Sequence, residues 1–345
     1  MKRLRSFTKN SQLILFFALM IACTVYIYFF SSTYLTKIMN TALCYCMVAF
    51  GLQLMLGMGG QMVFSGISFF GMGAYVAANL RTDRLGIQQS PDGLVTVLIA
   101  ILVVGAIGFL LGLVFMKLKG VFCVFATVGL VAICFSLFSF YEPLFGLPDG
   151  ISQIRRITLL GSKPIDNSKT WYLILSVFVI IVALINNRIS NSQFGRSLSA
   201  VRDDEIAAQT LGVNIYWTRV WGFVVGACYA GAAGALFAMH QTFVVAGMFT
   251  ADKGSMILVS TVLGGMLSTP GILLGSILVT FLPELLRSVS SGLIMLVFGI
   301  LVIVLMIFMP MGLGGLFDDL VKKLRRRKKK AMRLQEAQSR GEENE

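Results

Sequence analysis

The sequence is short of charge and of histidine, and both shortages narrow what it can be. Only 13% of its 345 residues are charged, against about 25% in ordinary soluble domains, which excludes a string of water-soluble domains. Its single histidine, His240, stands at the edge of an apolar run, and no nucleophile–base arrangement accompanies it, which argues against an enzyme. No Walker A motif is present: Gly161-Ser162-Lys163 lacks the upstream glycine, so any ATP hydrolysis must come from another chain. The six cysteines (Cys23, Cys44, Cys46, Cys123, Cys134 and Cys228) form no CxxC pair and all lie in apolar runs. They read as small buried hydrophobes, with no metal or disulfide framework.

What the chain has in plenty is hydrocarbon-seeking sequence. It is 57% hydrophobic, with a mean hydropathy of +0.83. Charge-free stretches such as 12–30, 94–116, 121–140, 220–239 and 292–310 approach the length that crosses ~30 Å of hydrocarbon. The expected fold is an all-α polytopic membrane protein of about ten transmembrane helices with broken or re-entrant segments. The expected spans are 12–30, 35–57, 60–80, 94–116, 120–140, 171–187, 218–240, 252–267, 270–286 and 292–310. The first run ends in bulky YIYFF without a cleavage site, so it is expected to stay as a span rather than leave as a signal peptide.

The formal net charge is +13, with a dense basic cluster from Lys322 to Lys330. Beside a last span, such a cluster marks a cytoplasmic end near anionic lipid rather than a nucleic-acid surface. With residues 1–11 cytoplasmic, ten spans place 20 of the 29 Lys and Arg residues inside, as the positive-inside rule requires. That division gives a cytoplasmic N-terminus (1–11), a transmembrane domain (12–316) and a basic cytoplasmic tail (317–345). Reading Gly254–Pro283 as one span would export the tail, so two crossings are expected there. Each is shorter than about 20 residues, hence tilted, or re-entrant and shielded by protein.

Gly57–Tyr75 holds six glycines together with Gln61, Ser65 and Ser68 at membrane depth. Two readings stand side by side: close helix packing through small residues, or an unwound segment lining a conduction path. The broken stretch Leu263–Gly275 is its counterpart in the second half, and paired interruptions point to a substrate route. The candidate route residues are Gly60, Gln61, Ser65, Ser68, Phe69, Gly73, Tyr75, Gly264 and Gly265. Tyr141–Thr170 is the largest exterior loop, open either to a partner or simply to solvent.

Between Asn191 and Tyr216 the pattern changes to an amphipathic helix with Leu198, Val201, Ala208 and Leu211 at helical spacing. Ser192 or Ser197 can cap its start, and Gly212 suits a left-handed stop. The other expected cytoplasmic turns are only a few residues long. A helix of this size lying across the base (192–214) suits a lever that docks in another subunit's groove.

Gly195-Arg196-Ser197-Leu198-Ser199-Ala200-Val201-Arg202-Asp203-Asp204-Glu205-Ile206-Ala207-Ala208-Gln209-Thr210-Leu211-Gly212-Val213-Asn214 resembles the coupling loop of branched-chain amino acid ABC transporter permeases. Further matches are Gly60-Gln61 with Phe69 to Tyr75, Asp149-Gly150-Ile151, Ala230 to Leu236, Leu263 to Met266 and Pro310 to Gly315. They cover about residues 40–316 in the family's order, nearer its LivM-like branch. Ser65-Gly66 and Met266 to Gly271 depart from the family pattern, and both fall on the expected route.

The resemblance implies a bacterial plasma-membrane importer in which two related or identical permease subunits pair with two ATPase subunits and an extracytoplasmic solute-binding protein. ATP and magnesium would be held by the ATPase, with no cofactor in this chain. Gly195, Arg196, Arg202, Asp204, Glu205, Ala207, Ala208 and Gly212 would meet the ATPase, the charged residues as exposed contacts and the small ones allowing close approach. The implied cargo is a branched-chain amino acid, with a nucleoside or simple sugar as the alternative. An ion-coupled secondary transporter is the rival class. It would need ionisable groups at mid-membrane, whereas Lys37, Glu142, Asp252, Lys253 and Glu284 fall near span ends.

Overall fold

The computed structural model describes residues 2–82, 91–118, 120–146, 150–157, 166–285, 299, 300, 303 and 312–314. The basic tail, most of the expected span 292–310, the Pro148-Asp149 turn and Lys163 lie outside the described residues. Among those described there is no strand, only an isolated antiparallel bridge between Ile151 and Val244. Most of the rest is helix, as a chain that must satisfy its backbone inside hydrocarbon requires.

In chain order the helices are α1 (Lys2–Phe30), α2 (Thr33–Leu52), α3 (Gly66–Arg81), α4 (Gly93–Phe115), α5 (Val121–Phe140), the single turn α6 (Glu142–Phe145), α7 (Ser168–Asn191), α8 (Gln193–Asp203), α9 (Glu205–Thr210), α10 (Ile215–Gln241), α11 (Ala251–Gly264) and α12 (Thr269–Leu285). Among the described residues, six segments are long and apolar enough to cross a membrane: Gln12–Phe29, Thr33–Met58, Gly93–Phe115, Val121–Phe140, Ser168–Asn191 and Ile215–Gln241. Helices α3, α11 and α12 are shorter, with 16, 14 and 17 residues. At about 1.5 Å per residue they reach only part of the way across ~30 Å.

Burial separates centre from rim. The second segment is 89% buried and α10 78%, against 17% for the first and 33% for α4 and α5. The centre closes because its helices are stripped of side chain where they cross. A Cβ at Gly73 of α3 would collide with the Gly231 carbonyl of α10, and one at Gly234 with the Phe70 carbonyl. A Cβ at Gly51 of α2 would stand 2.8 Å from the Gly226 carbonyl. Small residues admit such backbone approach where lipid gives no hydrophobic drive to associate.

Gly254–Pro283 folds as two short helices rather than one continuous span. Helices α11 and α12 form a hairpin whose reversal is Gly265, at φ +101°. A Cβ at Gly264 or Gly271 would strike the other's backbone, and Gly275 abuts Ser260 in the same way. Gly312 and Gly314 pack against Gly265 and Ser268, so the chain beyond the last expected span returns to the level of this turn.

Residues sorted by charge to opposite sides do gather at opposite ends. At one end Arg81, buried on α3, donates to the Pro91 carbonyl at 2.6 Å, to Arg155 O at 3.1 Å and to Arg156 O. Ile151 and Val244 exchange backbone bonds of 2.9 Å there, and Lys169 reaches Tyr28 O at 2.8 Å. The exterior loop is thus packed onto the bundle over 150–157 rather than merely solvated. His240 also sits at this end. It is buried, hydrogen-bonded to Asn40 at 2.9 Å and edge-on to Trp171. The other end carries α8 and α9.

The glycine contacts give a direct check. Gly73→Val should cost at least the ~1–3 kcal/mol usual for overpacking and lower the melting temperature of the detergent-purified protein. Gly129→Val, where a Cβ would meet nothing within 4 Å, should leave it unchanged.

Candidate functional site

Helix α8 starts where Ser192 Oγ accepts the Gly195 N–H at 3.2 Å, a side-chain N-cap. It turns Gly195, Leu198 and Val201 inward. Gly195 has to be glycine, because a Cβ would collide with the Ile189 carbonyl. Leu198 is fully buried and its methyl groups lie over Gly59 and Gly222.

The expected single helix over 192–214 is instead two. Asp204 leaves the helix at φ −159°, ψ 114°. Its carboxylate accepts the N–H groups of Ile206 at 2.9 Å and Ala207 at 3.0 Å and so starts α9. The restart changes the phase of the apolar pattern. Ala208 is 1% exposed, but Leu211, expected on the same face, is 82% exposed, and Ile206 is 77% exposed. Gly212, at φ +81°, ends α9 with its N–H on Gln209 O at 3.0 Å, the left-handed stop expected of it.

The charged residues expected to face a partner are partly engaged within the chain. Arg202 donates from Nη1 to the Gly57 carbonyl at 2.6 Å and from Nε and Nη2 to Asp203 at 3.0 and 2.9 Å. Its stem covers Gly60, which has φ +66°. Glu205 pairs with Arg219 of α10, whose side chain is only 9% exposed. Asp204 is a cap, whereas Arg196 bonds Asn191 O at 2.9 Å and stays exposed. Ala207 is exposed, and Gly212 has open space beside it.

Arg202 points at the first break in the bundle. Helix α2 widens into a π-helical stretch, Gln53–Met58, a form common at functional sites. The chain then runs unwound over 59–65, so α3 begins at Gly66, six residues after the expected start at 60. The break is satisfied by Gly59 N–H to Leu54 O and Gln61 N–H to Met55 O, both 3.0 Å. Phe64 N–H bonds Thr127 Oγ1 of α5 at 3.2 Å.

Gly57–Tyr75 holds both an unwound stretch, 59–65, and close-packed glycine, at different residues. Gln61, Ser65 and Ser68 are buried around the unwound segment. The Gln61 amide and the Ser68 hydroxyl face only the weakly bonding thiols of Cys123 and Cys134. Ser65 and Phe69 border a slit between α2, α3 and α10 of about 10 Å³, room for one water at most. Gly73 is a packing glycine. Tyr75 lies in an aromatic cluster with Phe138 at 4.8 Å and Phe145 at 5.0 Å, and Gly60 is exposed beneath Arg202. Gly264 and Gly265 sit at the hairpin turn, and that turn meets the first break, since a Cβ at Gly57 would collide with the Met266 carbonyl.

One feature was missed by sequence reasoning. A cavity of about 200 Å³ lies between α2, α11 and α12 and contains none of the expected route residues. Lys253 and Glu284, read only as span-end charges, stand on two of its walls.

A family model described as branched-chain amino acid transport system / permease component matches residues 34–309. The chain is 32% identical over 299 residues to the high-affinity branched-chain amino acid transport system permease protein LivM of Escherichia coli K12, covering 80% of this chain and 69% of that protein. The LivM of Salmonella typhimurium is 31% identical with the same coverage. The autoinducer 2 import system permease protein LsrC of Shigella flexneri is 28% identical over 165 residues, 47% of this chain and 45% of that one. No solved structure matches. The family match spans α2 to α12, both breaks and the α8–α9 pair included, and the chain is a member of the branched-chain amino acid transport permease family.

Proposed function

We propose that the chain is the membrane-spanning permease subunit of an ABC importer in the bacterial plasma membrane, moving branched-chain amino acids. Its similarity to LivM over most of both chains supports the cargo. The partners in this reading are two ATPase subunits that bind ATP and magnesium, a second permease copy or homologue, and an extracytoplasmic binding protein. The α8–α9 end and both termini are cytoplasmic.

One observation carries the mechanism: the exposed end piece is bonded to the break in the core. Ile206 and Leu211 offer an apolar grip beside charged neighbours, the composition of a docking surface centre. Asp204 and Ser192 hold α9 and α8 in fixed geometry. Arg202 ties α8 to Gly57, and Gly57 rests on Met266 of the hairpin turn. When the ATPase pair closes, the push on α9 passes through α8 to both breaks together and opens the slit beside Gln61 and Ser65.

Similarity to LsrC over about half of each chain keeps a sugar-like cargo as the competing reading. Uptake of labelled leucine, ribose and adenosine by vesicles holding the whole complex decides between them, with leucine expected alone.

Four variants test the lever. Ile206→Glu with Leu211→Glu should cut co-purification with the ATPase and ATP-driven uptake at least tenfold, while membrane insertion stays normal. Arg202→Ala should leave the ATPase bound but lower uptake per ATP hydrolysed several-fold. Glu205→Arg should abolish uptake by setting two arginines together, and adding Arg219→Glu should restore much of it. Normal uptake in Glu205→Arg alone would remove the pair from the mechanism.

A further inference from the structure

We propose that the seam between α5 and the start of α3 is an exit-side site for the solute's carboxylate, a proposal that rests on the importer reading above. Helix α3 begins inside the bundle, where Ser65, Gly66, Ile67 and Ser68 are all buried. A helix start leaves N–H groups that need acceptors, and burying them without acceptors is costly. Ser65 holds the N-cap position at φ −65°, ψ −6° and gives no side-chain cap, and the first turn carries no acidic residue. The first helical bond is Phe69 N–H to Ser65 O at 3.2 Å. Among the described residues no acceptor meets the N–H groups of Gly66, Ile67 or Ser68. The start of α3 lies toward the α8–α9 end, since the helix runs about 24 Å from here to Arg81 at the opposite end.

The polar side chains at the same place are poorly supplied too. Gln61, just ahead of the helix, is 6% exposed, and Ser68, in its first turn, is 1% exposed. Gln61 faces the Cys123 thiol and Ser68 the Cys134 thiol, both on α5. An amide has a carbonyl and two N–H groups, whereas a thiol is a weak donor and a weak acceptor. Among the described residues neither side chain has a stronger partner. Between the two thiols, Thr127 Oγ1 accepts the Phe64 N–H at 3.2 Å.

What this set lacks is an acceptor of many hydrogen bonds, and a carboxylate is one. A helix N-terminus with freed N–H groups favours an anion, and in membrane transporters broken helices point that end at anionic substrate groups. The Gln61 amide and the Ser68 hydroxyl add side-chain donors. A neutral sugar has no charge for the helix start to meet. Leu130 and Val131 share the buried face of α5 with Cys123, Thr127 and Cys134, an apolar seat for a branched aliphatic side chain. In the closed arrangement the thiols occupy the place of the carboxylate, and their weak contacts are the ones to be exchanged. Helix α5 is only 33% buried, so little else holds it against the break. The displacement of Gly57–Ser65 that opens the slit also parts this seam.

The test is thiol labelling of the purified whole complex by N-ethylmaleimide, located by peptide mass spectrometry, with ligands in excess over the solute-binding protein. During ATP turnover Cys123 and Cys134 should react at least tenfold faster than Cys44, which is fully buried on α2. Leucine and 4-methylpentanoate, which keeps only the carboxylate, should slow them at least threefold. The amine 3-methylbutylamine, which keeps only the ammonium, should not. Ser65→Asp places a resident carboxylate at the same helix start, so leucine uptake should fall at least tenfold while the melting temperature rises, the reverse of structural damage. Labelling of the wild type decides the matter if that variant fails to assemble. Three results would each overturn the site and leave the importer reading standing: thiols as unreactive as Cys44 in a complex that takes up leucine, protection by the amine equal to that by the carboxylate, or normal uptake by Ser65→Asp. A wild-type complex that takes up no leucine would overturn both.

Discussion

A break in a helix inside hydrocarbon exposes backbone groups that lipid cannot satisfy, and the rest of this structure is arranged around supplying their partners. The first break, Gly57 to Ser65, is closed by π-helical carbonyls on one side, Thr127 on another and the Arg202 guanidinium on a third. The second, at Gly265, is closed by its own turn and by Gly312. The two breaks then touch, Gly57 against Met266. An unsatisfied buried polar group costs about 1–3 kcal/mol, so withdrawing Arg202 from the Gly57 carbonyl is opposed by that amount. The end helix and the broken core are therefore tied together, because the bond that seals the break is also the bond that links them.

Much of this was legible in the sequence, since it depended on local chemistry. Charge-free runs marked the spans, Gly264-Gly265 and Gly57 to Gly60 marked the breaks, and Ser192 and Gly212 marked where the end piece starts and stops. Some features were not legible. The sequence has one apolar period from Leu198 to Leu211, but Asp204 captures two amide hydrogens and resets the phase. A helix-only pattern cannot register that event, and so Leu211 was placed on the wrong face. The role of Arg81 has no sequence signal, because its partners are backbone carbonyls of residues 91, 155 and 156, which only tertiary folding brings near. The cavity was invisible for the same reason: Ile38, Lys253 and Glu284 are far apart in the chain.

Glycine use differs between the two halves of the bundle. Between α2, α3 and α10, glycines remove the space in which side chains could slide, and the crossings are backbone against backbone. That makes a stiff centre, since close-packed contacts of this kind deform by discrete repacking rather than gradually. The α11–α12 hairpin has its own glycine seam, so its two helices are fixed to each other, yet it meets α2 across a cavity as well as across packed contact. Among the described elements around the two breaks, it is the one with such space beside it.

Where polar groups lie within the bundle also bears on what can drive it. Gln53 bonds Asn186 at 2.7 Å, and Gln61, Ser65 and Ser68 gather at the break. All are amides or hydroxyls, which keep one charge state at any ordinary pH. Among the described residues, the buried ionisable groups of opposite tendency are at the ends. Arg81 is held by carbonyls at one, and Arg219 is paired with Glu205 at the other. A proton or sodium relay would need titrating or anionic groups along the way. The neutral middle of the described bundle accords with the proposal that work enters by displacement of the capped, bonded pair α8–α9.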